Sequence, residues 1–268
     1  MSDTNHRFPL ALEALAELKM EMQASSSGSS TPQAKPMPAA PSLNSVLSEI
    51  GPLPREALFL GIASDGLPVL LNLHDPLPGP LLVTADAGAG KTIFLQTIAQ
   101  SLVHTHNPED VQYGVITKYP EEWEGVKQTG HCVGIFPTFH NSAQDFILSL
   151  ASWAHENKNP RQAILLMIDD LEEVARLDFD TVQNLRWLLL RGPARRVWPV
   201  ITMNAERYGQ VLAWIPGFRT RIFGRIKDGR VAGALGGDKA SAFDTLEPRV
   251  QFSLRESENW IRFWLAVC

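Results

Sequence analysis

The stretch of sequence that decides the fold is residues 80–92, which read PLLVTADAGAGKT. Its apolar first half predicts a short buried strand, and the residues after it carry apolar side chains at helical spacing, from Ile93 to Leu102. Strand, glycine-rich loop and helix follow one another in the order that a phosphate-binding loop requires. We therefore predict such a loop at Ala85, Asp86, Ala87, Gly88, Ala89, Gly90, Lys91 and Thr92.

The ligands predicted for this loop are ATP and Mg²⁺. Backbone N–H groups of small residues can turn toward the β-phosphate, and the following helix directs its positive end at the same oxygens. Lys91 is expected to reach the β- and γ-phosphates, and the Thr92 hydroxyl to ligate magnesium. Ala85 stands where a glycine is usual, which would cost roughly 1–2 kcal/mol only if the position needed a left-handed backbone. The alternative is a glycine-rich turn with a fortuitous Lys-Thr pair.

A second acidic group for magnesium is predicted at the end of residues 163–170, AILLMIDD. The six apolar residues predict a buried strand, whose two terminal carboxylates must meet water or a cation. We expect Asp169 to face the magnesium and Asp170 to polarise the attacking water. Because aspartate is shorter than the glutamate that many such ATPases use, slow hydrolysis is expected. Alternatively, the pair only caps the following helix.

A polar residue also ends the next predicted strand, at residues 197–203. The Asn204 amide would lie beside the γ-phosphate, where it could orient the lytic water or sense the phosphate. The alternative is an ordinary turn residue, since Asn is common after strands.

The one markedly basic segment is 186–230, with ten basic residues against two acidic ones. A strand at 218–226 would point Arg219, Arg221 and Arg225 to one face. One of them could reach the γ-phosphate of a neighbouring subunit, and we favour Arg221. The alternative is a solvated basic edge that blunts sheet pairing.

The rest of the chain predicts one α/β domain with a mainly parallel sheet, because apolar strands alternate with helical patterns. A β-hairpin at 57–62 and 67–73 precedes the loop. We place this domain at 42–268, after an amphipathic helix within 1–24 and a flexible Ser/Pro/Ala-rich linker at 25–41. The helix is either a docking or oligomerisation element or a non-essential extension.

Composition narrows the class of protein. A net charge of −5 argues against a protein that coats nucleic acid indiscriminately. Cys132 and Cys268 are the only cysteines, which suggests neither a disulfide framework nor a thiolate zinc site. There is no signal peptide pattern and no apolar run of about 18 residues. We expect a cytoplasmic protein that does not insert into membranes.

A resemblance to a known family rests on six segments, namely residues 67–73 (LPVLLNL), 80–92, 107–112 (NPEDVQ), 168–171 (IDDL), 200–204 (VITMN) and 219–222 (RTRI). Together they resemble the motor domain of FtsK/SpoIIIE ATPases in the FtsK/HerA group, and also type VII secretion ATPase modules. The resemblance implies a RecA-like core, a ring that is commonly a hexamer, ATP at subunit boundaries and a polymer threaded through the centre. Asn204 replaces the family's usual Gln, and Asp170 its usual Glu.

Two functions are therefore expected. The first is a ring-forming motor or remodelling ATPase that acts on DNA or on a protein complex. The alternative is a nucleotide-dependent assembly switch or scaffold with weak or no hydrolysis.

Overall fold

The structure is a computed structural model that describes residues 42–156, 161–238, 241–256 and 259–266. The amphipathic helix predicted within 1–24 and the linker at 25–41 lie outside the described residues.

Within the described residues, ten strands form one sheet in the order β2-β1-β10-β9-β8-β3-β7-β6-β4-β5. Neighbours from β8 to β5 are parallel, and neighbours from β2 to β8 are antiparallel. The strands are β1 (Ala57–Ala63), β2 (Pro68–Asn72), β3 (Leu81–Ala85), β4 (Val111–Thr117), β5 (Cys132–Pro137), β6 (Ala163–Ile168), β7 (Val197–Asn204), β8 (Thr220–Phe223), β9 (Gln251–Glu256) and β10 (Asn259–Trp264).

Helices cover both faces of the parallel half. The described α-helices are α1 (Leu43–Ile50), α2 (Lys91–Thr105), α3 (Glu124–Lys127), α4 (Asn141–Glu156), α5 (Leu171–Val174), α6 (Phe179–Arg191) and α7 (Gly229–Ala234). Short 3₁₀ helices lie at Pro120–Trp123, Pro193–Arg195, Ala205–Gln210, Ile215–Gly217 and Phe243–Thr245.

Alternating residues of the central strands feed two separate cores. Leu81 and Val83 of β3 pack with α2, whereas Leu82 packs in the cluster that contains α4 and α6. Every residue of β3 and β6 is buried, as expected for strands covered on both faces. Because β3, β7 and β6 are parallel neighbours, their carboxyl ends meet at one edge of the sheet, and β8 joins them on the other side of β3.

The predicted α/β class, the mainly parallel sheet and the hairpin before the loop are confirmed. The predicted strand at 218–226 is too long, since β8 ends at Phe223 and Arg225 lies beyond it. The partner strand β3 ends at Ala85 and turns into the loop, and residues 224 and 225 keep only single backbone hydrogen bonds to Thr84 and Asp86 before the chain leaves the sheet. Strands β9 and β10 were not predicted.

No helix in the described part of the chain combines the length and the apolar character that crossing a membrane requires.

Candidate nucleotide-binding site

The predicted phosphate-binding loop connects β3 to α2 directly. Ala85 is the last residue of β3 and pairs with Asn204, so its backbone is extended and alanine carries no left-handed penalty there. The left-handed conformations fall on Gly88 (φ 72°) and Gly90 (φ 100°), where glycine is favoured. Helix α2 begins at Lys91, which directs its amino-terminal N–H groups at the loop.

Lys91 lies folded against the loop. Its Nζ donates to the carbonyl oxygens of Ala85, at 3.5 Å, and Asp86, at 3.2 Å. The residue is 9% exposed and borders a cavity of about 430 Å³, together with Gly88, Gly90 and Thr92. A cation held this way can exchange two neutral acceptors for phosphate oxygens, which are stronger acceptors.

Thr92 and Asp169 meet, although 77 residues separate them in the chain. The Thr92 hydroxyl donates to Asp169 Oδ2 at 2.8 Å, and the Thr202 hydroxyl donates to Asp169 Oδ1 at 2.9 Å. Burial raises the pKa of Asp169, and the neighbouring Asp170 carboxylate raises it further, against the opposing effect of the Thr92 hydrogen bond. A hydroxyl and a buried carboxylate at the carboxyl edge of the sheet are suitable ligands for Mg²⁺.

Asp170 has an unusual backbone. Its φ is 77°, a region that residues other than glycine rarely adopt, and its N–H donates to the Thr202 hydroxyl at 2.8 Å. Asp170 precedes α5 but makes no side-chain capping hydrogen bond. The structure therefore gives no support to the view that this residue only caps the following helix.

Asn204 ends β7, as predicted, at the edge where the loop lies. Its side-chain oxygen accepts from the Glu206 N–H at 3.1 Å and so caps the 3₁₀ helix Ala205–Gln210. This capping contact is typical of a turn residue, which was the alternative interpretation of Asn204. A role for the amide in catalysis stays a prediction.

Glu172 is a third carboxyl at this edge, and the sequence did not single it out. It is 1% exposed, and its Oε1 accepts from the Asn204 N–H at 2.7 Å, while Oε2 is buried without a hydrogen-bond partner in the structure. Burial raises the pKa of Glu172, and the nearby Asp170 carboxylate raises it further. Glu172 thus links the helix after the acidic pair to the tip of β7.

The three arginines, which were expected on one face of a strand, lie in different surroundings. Arg219 precedes β8 and donates to the Leu77 oxygen at 3.5 Å, and Arg225 follows the strand. Arg221 is half-buried next to Leu82 of β3 and donates to the Ile215 oxygen at 3.2 Å. Its partner in the sheet, Leu82, comes three residues before the loop, and Arg221 does not line the cavity that Lys91 and Thr92 border, which we call the phosphate cavity.

The C-terminal part of the chain holds the loop from its other side. The Asp86 N–H donates to the Arg225 oxygen at 2.9 Å, and Asp86 Oδ2 accepts from the Lys227 N–H at 2.9 Å. The Arg249 N–H donates to the Ala89 oxygen at 2.8 Å. None of these contacts was predicted.

No family model matches the chain, and no curated protein matches it in sequence. Solved structures match it in fold. ATPases 2 and 3 of EccC from Thermomonospora curvata, in complex with a signal sequence peptide, give a TM-score of 0.68 at 15% identity over 96% of this chain and 48% of that one.

Two further structures agree. ATPases 2 and 3 of EssC from Geobacillus thermodenitrificans give a TM-score of 0.69 at 14% identity, over 88% of this chain and 48% of that chain. The pCW3 conjugation coupling protein TcpA, in its monomer form with ATPγS, gives a TM-score of 0.63 at 15% identity, over 96% of this chain and 82% of that chain. The fold is that of a RecA-like P-loop ATPase domain.

The resemblance that the sequence suggested is thus confirmed at the level of the fold, because these neighbours are ATPase modules of the FtsK/SpoIIIE type. The chain spans about half the length of the EccC and EssC structures. In this P-loop ATPase fold, residues 85–92, Asp169 and Asp170 lie together at the carboxyl edge of the sheet, and Arg221 does not join them.

Proposed function

We propose that this chain binds Mg-ATP at residues 85–92 and hydrolyses it as a subunit of a cytoplasmic, ring-forming motor or remodelling ATPase. The observation that carries the proposal is the 2.8 Å hydrogen bond between Thr92 and Asp169. In P-loop enzymes a hydroxyl and an acid in these places hold the magnesium ion, and Thr92 and Asp169 would hold it here. Lys91 stands beside them, folded onto two loop carbonyls.

Residues of this chain have separate tasks in the proposed reaction. Mg²⁺ would neutralise charge on the phosphates, held through Thr92 and Asp169. Lys91 would bind the β- and γ-phosphate oxygens, and Asp170 would orient and polarise the attacking water. Asn204 would report on the γ-phosphate.

Lys91→Ala tests the nucleotide site. We expect ATP binding to be lost while the fold persists, because the hydrogen bonds of the Lys91 ammonium within the described residues go to two loop carbonyls and not to the core. Isothermal titration calorimetry with Mg-ATP measures the binding, and a thermal melt checks the fold. Lys127→Ala, which removes an exposed lysine paired with Glu124, serves as the control and should bind as the wild type does. Equal ATP affinity in Lys91→Ala would refute the assignment.

Asp170 tests hydrolysis. Asp170→Asn should lower turnover with little effect on ATP affinity, since its proposed partner is the water and not the metal. Asp170→Glu extends the carboxylate by one methylene, and a faster rate would show that the short side chain limits the native enzyme. If Asp170→Asn leaves a measurable rate unchanged, the catalytic assignment is wrong.

Assembly is the second part of the proposal, with a hexameric ring favoured. Because Arg221 lies outside its own chain's phosphate cavity, we assign it to the ATP of a neighbouring subunit. Removal of such a finger lowers turnover by a factor on the order of 10³ or more while nucleotide binding persists. Mixing inactive Arg221→Ala subunits with inactive Asp169→Asn subunits should restore part of the activity. No recovery despite proven co-assembly would remove Arg221 from the mechanism.

The substrate proposed for such a motor is DNA or a protein complex. The signal sequence peptide in the EccC structure and the conjugation function in the name of TcpA belong to those proteins. The N-terminal segment 1–24 is proposed to dock a partner. Turnover measured with and without DNA separates the two substrates.

A second candidate function is a nucleotide-dependent switch or scaffold that assembles and hydrolyses weakly. The strained backbone and short side chain of Asp170 favour it, since a poorly placed acid slows attack by water. Particle size with a non-hydrolysable ATP analogue, combined with turnover per subunit, distinguishes the two. A nucleotide-induced ring without turnover would favour the scaffold.

A further inference from the structure

Arg249 has a strained backbone that the phosphate-binding loop imposes. Its φ is 70°, in the left-handed region, and it directly precedes the residues that lead into β9. Strain of this kind persists where the surroundings require it, and it concentrates at functional sites. Arg249 is therefore a candidate functional residue.

The surroundings that require it are the loop residues themselves. The Arg249 N–H donates to the Ala89 oxygen at 2.8 Å, and the backbone of Arg249 packs directly on Gly90. A Cβ on Gly90 would clash with the Arg249 Cα. The Arg249 backbone thus packs against a loop residue at which a side chain would not fit.

The side chain of Arg249 reaches the phosphate cavity. It is exposed, and its Nε donates to the Gly88 oxygen at 3.4 Å, which is long for a charged donor. It borders the cavity together with Lys91 and Thr92. Glu122 is the other charged residue on the cavity wall, and its carboxylate is exposed.

We propose that Arg249 is a second polyphosphate-binding cation of the site, supplied by the same chain as Lys91. The proposal rests on the proposed function, since it assumes that the loop holds ATP. A triphosphate brings several negative charges into a cavity where Lys91 is the other basic residue of the described lining. The guanidinium has a planar fork of donors suited to phosphate oxygens, and the Gly88 carbonyl satisfies only one of them.

Arg249→Asn provides the test, because Asn tolerates a left-handed backbone and removes the cation. We expect roughly a 10- to 100-fold loss of affinity for Mg-ATP, the range for one charged hydrogen-bonding group. The loss should be smaller for Mg-ADP and absent for adenosine, which has no phosphate. Titration calorimetry at two salt concentrations should also show a weaker salt dependence in the variant.

Two controls separate a binding role from a structural one. Arg249→Gly removes both the strain and the cation, so it should lose ATP affinity equally without a lower melting temperature in the absence of nucleotide. Arg191→Asn removes an exposed arginine at the end of α6 and should bind ATP as the wild type does.

ATP affinity within twofold of the wild type in both Arg249 variants, while Lys91→Ala binds none, would overturn the inference and leave the P-loop assignment standing. An equal loss of adenosine affinity would overturn it too, because a neutral ligand needs no cation. A wild-type chain that binds no ATP would overturn both proposals.

Discussion

The two sides of the phosphate-binding loop are held by opposite means. On the acidic side, formed by Asp169, Glu172 and Thr202, the groups are buried and held by side-chain hydrogen bonds, since the Thr202 hydroxyl donates to Asp169 and the Glu172 carboxylate accepts from the Asn204 N–H. On the C-terminal side, formed by residues 225–227 and Arg249, the segment is held mostly through backbone N–H and carbonyl groups of the chain, and the Arg249 side chain is exposed.

The difference corresponds to two separate requirements of a nucleotide-binding site. Groups that face a metal must be fixed before the metal arrives, and burial fixes them at the expense of placing carboxylates in an apolar setting. Groups that contact a flexible triphosphate are better exposed, and backbone contacts hold their segment while the side chain stays free to move. Variants on each side should therefore fail in different ways.

The largest loss of stability is expected from Gly90→Ala, which disturbs the contact between the loop and Arg249 on the C-terminal side. An alanine at position 90 must adopt a left-handed backbone, and its Cβ must also displace the Arg249 backbone. Gly88→Ala is the matched control, because Gly88 is also left-handed (φ 72°) but a Cβ there meets open space. Left-handed strain alone costs roughly 1–2 kcal/mol.

We therefore expect Gly90→Ala to lower the free energy of unfolding by more than Gly88→Ala does, and to abolish ATP binding. Urea unfolding of both variants measures the difference. Equal destabilisation in the two variants would mean that the contact between Gly90 and Arg249 contributes nothing.

On the acidic side, Asp169→Asn is expected to change stability by a smaller amount and in the opposite direction. Since burial raises the pKa of Asp169, its charge destabilises the folded chain at neutral pH in the absence of metal. The neutral amide should raise the melting temperature without Mg²⁺, by roughly 2–4 °C for each kcal/mol gained. The same variant should lose the magnesium-dependent part of ATP binding. A lower melting temperature would show that the hydrogen bonds to Thr92 and Thr202 outweigh the buried charge.

The smallest effect is expected from Glu172, through its contribution to the pH dependence of stability. Because its pKa is raised in the folded chain, Glu172 stabilises the fold below its ordinary value of 4.5, and that contribution is lost as pH rises through the folded pKa. Glu172→Gln keeps an acceptor for the Asn204 N–H but does not titrate. Urea unfolding between pH 4.5 and about 7.5 should show a smaller loss of stability in the variant than in the wild type. Parallel curves would mean that Glu172 titrates alike in the folded and unfolded chain.

The acidic side was largely predictable from sequence, and the C-terminal side was not. The strand ending at Asp169 is an apolar run buried on both faces, so the pattern and its two acids stand out. Glu172 was missed because a glutamate in the first turn of a helix is common, and sequence does not show that this one is buried.

Strands β9 and β10 could have been found. Phe252 and Leu254 alternate with polar residues in β9, and β10 is rich in aromatic and β-branched residues, which together are a strand and hairpin signal. The position of Arg249 could not be read in this way, because its contact with Gly90 joins residues 159 positions apart and follows from the path of the chain. The contact between Asp86 and Lys227 gave no signal either, since the Asp86 side chain accepts from a backbone N–H, which any residue but proline can supply.

The ties between the loop and the C-terminal side also set an order of events during synthesis. A nascent chain that has reached Asn204 contains the complete loop and both acids, yet it lacks Arg225, Lys227 and Arg249, which hold Asp86 and Ala89 in place. Contacts of such long sequence separation form late, since they require closure of a long stretch of chain. The ability to capture nucleotide should therefore arise only after Arg249 and β9 have left the ribosome and β9 has joined the sheet.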